Sequence, residues 1–154
     1  MSNKAKGSKV ERELFQMFVE NNFRAVRVAG SGVMENAECD LIAGRIGHKY
    51  AVEVKSTKKP VKYITKEQIE KFMIFCEIFD LKPVVAVRFN RLGWFFFNPG
   101  DLEDAGKNWV LNMETARTKG KRFSQFFGVK DDRNKKNDVL AGDLELLKEI
   151  DDVE

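Results

Sequence analysis

Cysteine and histidine are scarce in this chain, and each scarcity excludes a class of function. Cys39 and Cys76 stand far apart and outside any CxxC or Cys/His spacing. Neither a disulfide framework nor a zinc site is expected, a reducing cytoplasm is the natural home, and both thiols read as small buried apolar side chains. The single histidine, His48, falls in a turn-like stretch with no second histidine to share a metal, so it reads as a solvated turn residue. Long apolar runs are also missing: none approaches the roughly 18 residues of a spanning helix. The basic segment 1–9 has no apolar stretch after it, so the chain reads as neither secreted nor membrane-spanning.

What is present suits one globular domain of 154 residues with 43% hydrophobic content. The net charge of +3 hides an asymmetry: residues 131–154 hold 4 basic and 9 acidic side chains, leaving 23 basic against 15 acidic ones in residues 1–130. A basic body suits a polyanionic partner. The expected organisation is a domain over 1–130 and an acidic tail over 131–154, with a short amphipathic helix through Leu140, Leu144 and Leu147.

The chemistry concentrates in two short apolar runs, 38–43 and 49–55, joined by Gly44-Arg45-Ile46-Gly47-His48. They read as a β-hairpin turning at Ile46-Gly47, which sets Ala43 opposite Tyr50, Leu41 opposite Val52 and Asp40 opposite Glu53. Side-chain alternation then gathers Cys39, Leu41, Ala43, Tyr50, Val52 and Val54 on one face and Asp40, Ile42, Ala51, Glu53 and Lys55 on the other. Opposed carboxylates destabilise a sheet unless something offsets them. A divalent cation would, since Mg²⁺ takes one or two carboxylates with waters and phosphate oxygens, and Lys55 would face developing phosphate charge. A surface salt-bridge cluster fits the same residues, and the hairpin alone does not choose between them.

Helical spacing of Val10, Leu14, Met17 and Phe18 behind a Ser8/Glu11 capping box implies a first helix over 9–21. A strand over 23–29 follows, then a glycine-rich loop, the hairpin, a helix over 65–80 capped by Thr65 and Gln68, and strands over 83–89 and 94–97. The order α-β-β-β-α-β-β implies a central mixed β-sheet flanked by helices, with the second helix as a right-handed crossover. That helix is apolar on two sides: Ile69, Phe72, Met73, Cys76 and Phe79 form one stripe, which Ile74, Phe75 and Ile78 widen. Together with Trp94-Phe95-Phe96-Phe97 it reads as a homodimer interface or as a surface covered by the chain's own C-terminal segment.

Gly7 with Glu11-Arg12-Glu13, Phe23-Arg24-Ala25-Val26-Arg27, Ala29-Gly30-Ser31-Gly32, Asp40-Leu41-Ile42-Ala43-Gly44, Val52-Glu53-Val54-Lys55, Tyr63-Ile64 and Trp94-Phe95-Phe96 resemble, in order and spacing, the archaeal Holliday junction resolvases of the PD-(D/E)xK nuclease superfamily. The resemblance covers residues 7–97. It implies an α/β fold with a restriction-endonuclease-like core and a homodimer acting on four-way junction DNA in recombination and repair. It also implies Mg²⁺, with Mn²⁺ as a substitute, and products with 5′-phosphate and 3′-hydroxyl ends. Carried over residue by residue, it implies Glu11, Asp40 and Glu53 as metal-site carboxylates and Lys55 as the catalytic lysine. Ser31 stands where some members use a serine and Gln68 where related nucleases have a supporting glutamine. Arg12 and Arg27 match phosphate-contacting arginines, and Gly30, Ser31 and Gly32 form the DNA-side loop.

Each assignment has a structural alternative. Glu11 is also the capping-box acid, Ser31 a turn cap, Gln68 a cap partner, and Arg12 and Arg27 surface charges. Where the family commonly places glycine before the first-strand Phe, this chain has Asn22, a residue that tolerates left-handed geometry. Phe123-Ser124-Gln125-Phe126-Phe127, behind Lys119-Gly120-Lys121-Arg122, resembles the hydrophobic half of a sliding-clamp-binding peptide whose usual glutamine would fall at Gly120; the alternative is that Phe123, Phe126 and Phe127 pack on the domain's own core. Another PD-(D/E)xK restriction or repair endonuclease would share every catalytic residue. A noncatalytic junction-binding module is expected to have lost at least one.

Overall fold

A computed structural model describes residues 3–28 and 38–129, with side chains from residue 7 onward. Gly30, Ser31, Gly32 and the acidic tail over 131–154 lie outside the described residues.

The chain runs through α1 (Asn3–Glu20), β1 (Arg24–Arg27), β2 (Leu41–Arg45), β3 (His48–Thr57), β4 (Val61–Thr65), α2 (Lys66–Phe79), β5 (Lys82–Phe89) and β6 (Gly93–Phe97). Beyond a 3-10 turn at Pro99–Asp101 come β7 (Glu103–Ala105), β8 (Asn108–Asn112), α3 (Met113–Thr118) and α4 (Phe123–Phe127). The expected central sheet is mixed, in the order β1-β2-β3-β5-β6, with β3 and β5 parallel across the β4-α2 crossover. A second sheet, β4-β8-β7, was not expected; its strands are three to five residues long and give almost no periodic signal.

Two apolar layers cover the central sheet. On one face α1 and α4 bring Leu14, Phe18, Phe123 and Phe127 against Phe23, Leu41, Tyr50, Val52 and Phe96. On the other, Ile69, Phe72 and Cys76 of α2 pack on Ala51, Val85, Val87, Phe95 and Phe97. Both sides of β6 are therefore filled by this chain. The expectation that Trp94-Phe95-Phe96-Phe97 faces a partner is corrected: all four are buried within the domain.

Three local corrections matter for the site. The helix expected from residue 9 begins at Asn3, so Ser8 lies inside α1 and is not its cap. Cys39 joins the α2 layer rather than that of Leu41, because the chain leaves the β2-β3 ladder at Asp40 and alternation fails there. The third concerns Phe123, Phe126 and Phe127 as clamp anchors. Phe123 and Phe127 are buried against Phe18, Phe23 and Phe96, and Phe126 packs beside them. Lys121 exchanges backbone hydrogen bonds with Phe96, which ties the segment to β6. A side chain at Gly120 would collide with the Ala116 carbonyl oxygen and the Phe97 ring, which accounts for the missing glutamine. These aromatics belong to the core.

Phe127, 2% exposed, tests that correction. Its ring meets Tyr50 at 5.0 Å and Phe18 at 5.1 Å, both edge-on. Phe127→Ala is expected to cost about 3–5 kcal/mol in denaturant unfolding, as for other buried phenylalanines. A loss below about 1 kcal/mol would mean that α4 is not part of the core.

Asn22 takes φ 64°, the left-handed geometry that asparagine was expected to tolerate. Among the described residues no helix is long and apolar enough to cross a membrane.

Candidate active site

The hairpin forms in the expected register from Leu41↔Val52 through Arg45↔His48. Asp40 departs from it. Its amide donates to the Val52 carbonyl at 3.0 Å, while its own Oδ2 accepts the Val54 amide at 2.7 Å. It is therefore not a ladder partner of Glu53, correcting the expected direct opposition. The side chain takes over a backbone hydrogen bond of β3, which fixes one carboxylate oxygen beside the Glu53 strand.

Glu53 is 5% exposed, in the middle of β3 between β2 and β5. Lys55, two residues on and so on the same face, approaches Oε1 with its Nζ at 3.2 Å. Gln68 Nε2 donates to the same oxygen at 2.8 Å. Among the described residues both contacts fall on Oε1, which leaves Oε2 for a further ligand. The two sequence readings of Gln68 turn out to be compatible: its amide caps α2 by donating to Thr65 Oγ1 at 3.2 Å, while its side chain holds the glutamate.

Burial is the main force on the Glu53 proton, and the negative charge of Asp40 adds to it. Together they outweigh Lys55 and push the pKa up to about 7. Glu11, on α1, completes the acidic group. Its pKa is raised, chiefly by burial, with Asp40 adding to the rise and Arg27 opposing it. Arg27 Nη2 donates to Glu11 Oε2 at 3.0 Å and to Ser8 Oγ at 3.0 Å. Arg27, read from sequence as a phosphate contact, is thus engaged with a site carboxylate, whereas Arg12 is exposed on α1. Ser8 had been read only as a cap. Its spacing of three from Glu11 was the available signal, since it puts both on one helix face.

Among the described residues no three His, Cys, Asp or Glu side chains already converge as a metal cage. The donor set nevertheless fits Mg²⁺. It is all carboxylate oxygen, Lys55 and Arg27 together offset only two of its three formal negative charges, and this ion takes few protein ligands and completes its shell with water and phosphate. The cysteines offer no alternative chemistry. Burial pushes Cys39 up to about 12 and Cys76 up to about 11, so neither is a thiolate nucleophile at neutral pH.

A family model described as archaeal Holliday junction resolvase (Hjc) matches residues 2–135, a span that includes all of these side chains. The chain belongs to this family. The crossover junction endodeoxyribonuclease Hjc of Methanocaldococcus jannaschii is 44% identical over 108 residues, covering 70% of this resolvase and 76% of that protein. The enzyme of the same name from Archaeoglobus fulgidus is 34% identical over 134 residues, covering 82% and 98%. The solved structure of Archaeoglobus fulgidus Hjc, a Holliday junction resolvase, superposes with a TM-score of 0.74 at 28% identity, over 82% of this resolvase and 99% of that chain. A bacterial homing endonuclease superposes with a TM-score of 0.50 at 16% identity, a likeness of fold alone.

Proposed function

We propose that this resolvase is a structure-selective endonuclease that resolves four-way DNA junctions by paired, Mg²⁺-dependent phosphodiester hydrolysis. The observation that carries the reading is the placement of Asp40, Lys55 and Gln68 around the buried carboxylate of Glu53, on the fold of a junction-resolving family. Glu53, Asp40 and Glu11 are the residues that would hold the ion. When bound, it activates water and offsets charge at the scissile phosphate. Lys55, fixed at Glu53, presents an ammonium to the developing phosphate charge. Gln68 and the Val54 amide each immobilise one carboxylate oxygen, so the acidic group is arranged before DNA arrives. Arg12 is exposed on α1 and would contact phosphate, which positions DNA without reading sequence. Ser31 and its glycine neighbours are assigned to the DNA side on the resemblance alone. A labelled four-way junction beside a matched duplex in Mg²⁺ tests the reading: selective nicking of the junction is expected, and equal cutting of both would make the chain a general nuclease.

A homodimer supplies the two active sites that two nicks require. Met73, Ile74, Ile78 and Phe79 leave an apolar stripe on α2, with Ile78 72% and Phe79 59% exposed, and a second copy of the chain is its proposed cover. Ile78→Lys is expected to halve the sedimenting mass and to leave the circular dichroism of the fold intact. A wild-type chain that sediments as a monomer would contradict this arrangement. The free cysteines suit a cytoplasmic enzyme.

A further inference from the structure

We infer that Ser8 is a positioning residue for the metal-site carboxylate Glu11, acting through the guanidinium of Arg27. The inference rests on the proposed role of Glu11 and goes beyond it by naming what sets that carboxylate in place.

A serine inside a helix normally points to solvent or bonds back to the preceding turn. Ser8 instead accepts from Arg27 Nη2 at 3.0 Å, and the same nitrogen donates to Glu11 Oε2 at 3.0 Å. Ser8 and Glu11 stand three apart on α1 and therefore share one helix face, while Arg27 reaches them from β1. Two acceptors on the helix grip one nitrogen from the sheet. The rest of the guanidinium offers little support, because Arg27 Nε is buried without a hydrogen-bond partner. Among the described residues, both hydrogen bonds of the arginine head pass through Nη2. With the hydroxyl removed, the head keeps only Glu11 among the described residues, and a single hydrogen bond between two long side chains does not fix the rotation of either. The carboxylate would then sample positions away from Asp40, which now lies close enough to raise its pKa.

The chemistry required at position 8 is an acceptor oxygen of hydroxyl length. Threonine satisfies it and alanine does not. Alanine also has the higher helix propensity, so Ser8→Ala removes the hydroxyl without weakening α1.

The test compares wild type, Ser8→Ala, Ser8→Thr and Glu11→Gln in the full chain. It uses three readouts: single-turnover cleavage of a four-way junction, junction affinity in EDTA, and binding of Mn²⁺ alone followed by the electron paramagnetic resonance of the free ion. Loss of one charge-assisted hydrogen bond predicts that Ser8→Ala lowers the cleavage rate and the Mn²⁺ affinity by about five- to tenfold each. Junction affinity in EDTA should stay at the wild-type value, and Ser8→Thr should restore the other two. Ser8→Ala with wild-type cleavage and Mn²⁺ affinity, beside an inactive Glu11→Gln, would overturn this inference alone. A weaker junction affinity in EDTA that accounts for the whole rate loss would also overturn it, placing Ser8 and Arg27 on the DNA instead. Wild-type cleavage by Glu11→Gln would remove the assignment of Glu11 itself, and the inference with it.

Discussion

Glu53→Gln is expected to lower junction cleavage by about 10²- to 10³-fold or more while junction binding in EDTA is unchanged or tighter. The substitution keeps the shape of the side chain and an acceptor at Oε1, so the bonds from Gln68 and Lys55 have a partner and β3 stays packed. What it removes is the charge that Oε2 would offer a cation. Burial with Asp40 and Glu11 nearby disfavours the charge on Glu53, and neutralising it also lessens repulsion toward a phosphate. Binding and cutting should therefore separate in this variant. Cleavage at the wild-type rate would mean that the metal-binding reading of the buried carboxylate is wrong, whatever the fold.

The second large effect appears in stability without metal. The folded pKa of Glu53, about 7, lies above the ordinary value of 4.5. Between those limits the folded state binds more protons than the unfolded one, so stability falls as pH rises through the window. Below pH 4.5 this cost is absent, and above about 7 it is fully present, on the order of 3 kcal/mol for such a shift. Thermal unfolding of wild type and Glu53→Gln in EDTA reads the effect. The variant should gain on wild type from pH 5 to pH 7 and hold a constant advantage above that. Mg²⁺ should stabilise wild type most at the upper end. A difference independent of pH would show that Glu53 ionises in the folded protein as it does in water.

The parts of the fold visible in the sequence are those whose side chains repeat with a clear period. The hairpin register from Leu41 to Arg45 followed from alternation and a two-residue turn, and α2 followed from its apolar stripe and Thr65 cap. Expectations failed where a tertiary contact overrode a local pattern. Asp40 leaves its ladder because its carboxylate accepts the Val54 amide, a contact that no alternation rule contains. Ser8 and Glu11 carry the spacing of a capping box, but α1 starts earlier and the pair holds Arg27 instead. Phe123, Phe126 and Phe127 have the spacing of a peptide anchor, and only the position of α4 over Phe18 and Phe23 shows that the rings are core. The grouping of Asp40, Glu53 and Lys55 was legible in the hairpin and Gln68 was indicated by the resemblance, whereas the contacts that orient the group, from Val54, Ser8 and Arg27, depend on chain segments far apart in sequence.

In the proposed reading two active sites cut one junction in a paired event. A supercoiled plasmid that extrudes a cruciform reads this directly, beside the same plasmid without the inverted repeat, in Mg²⁺. Paired cutting converts the cruciform plasmid straight to linear DNA and leaves the control supercoiled. Accumulation of nicked circles from both plasmids would contradict the account, since it would mean single cuts made without regard to the junction.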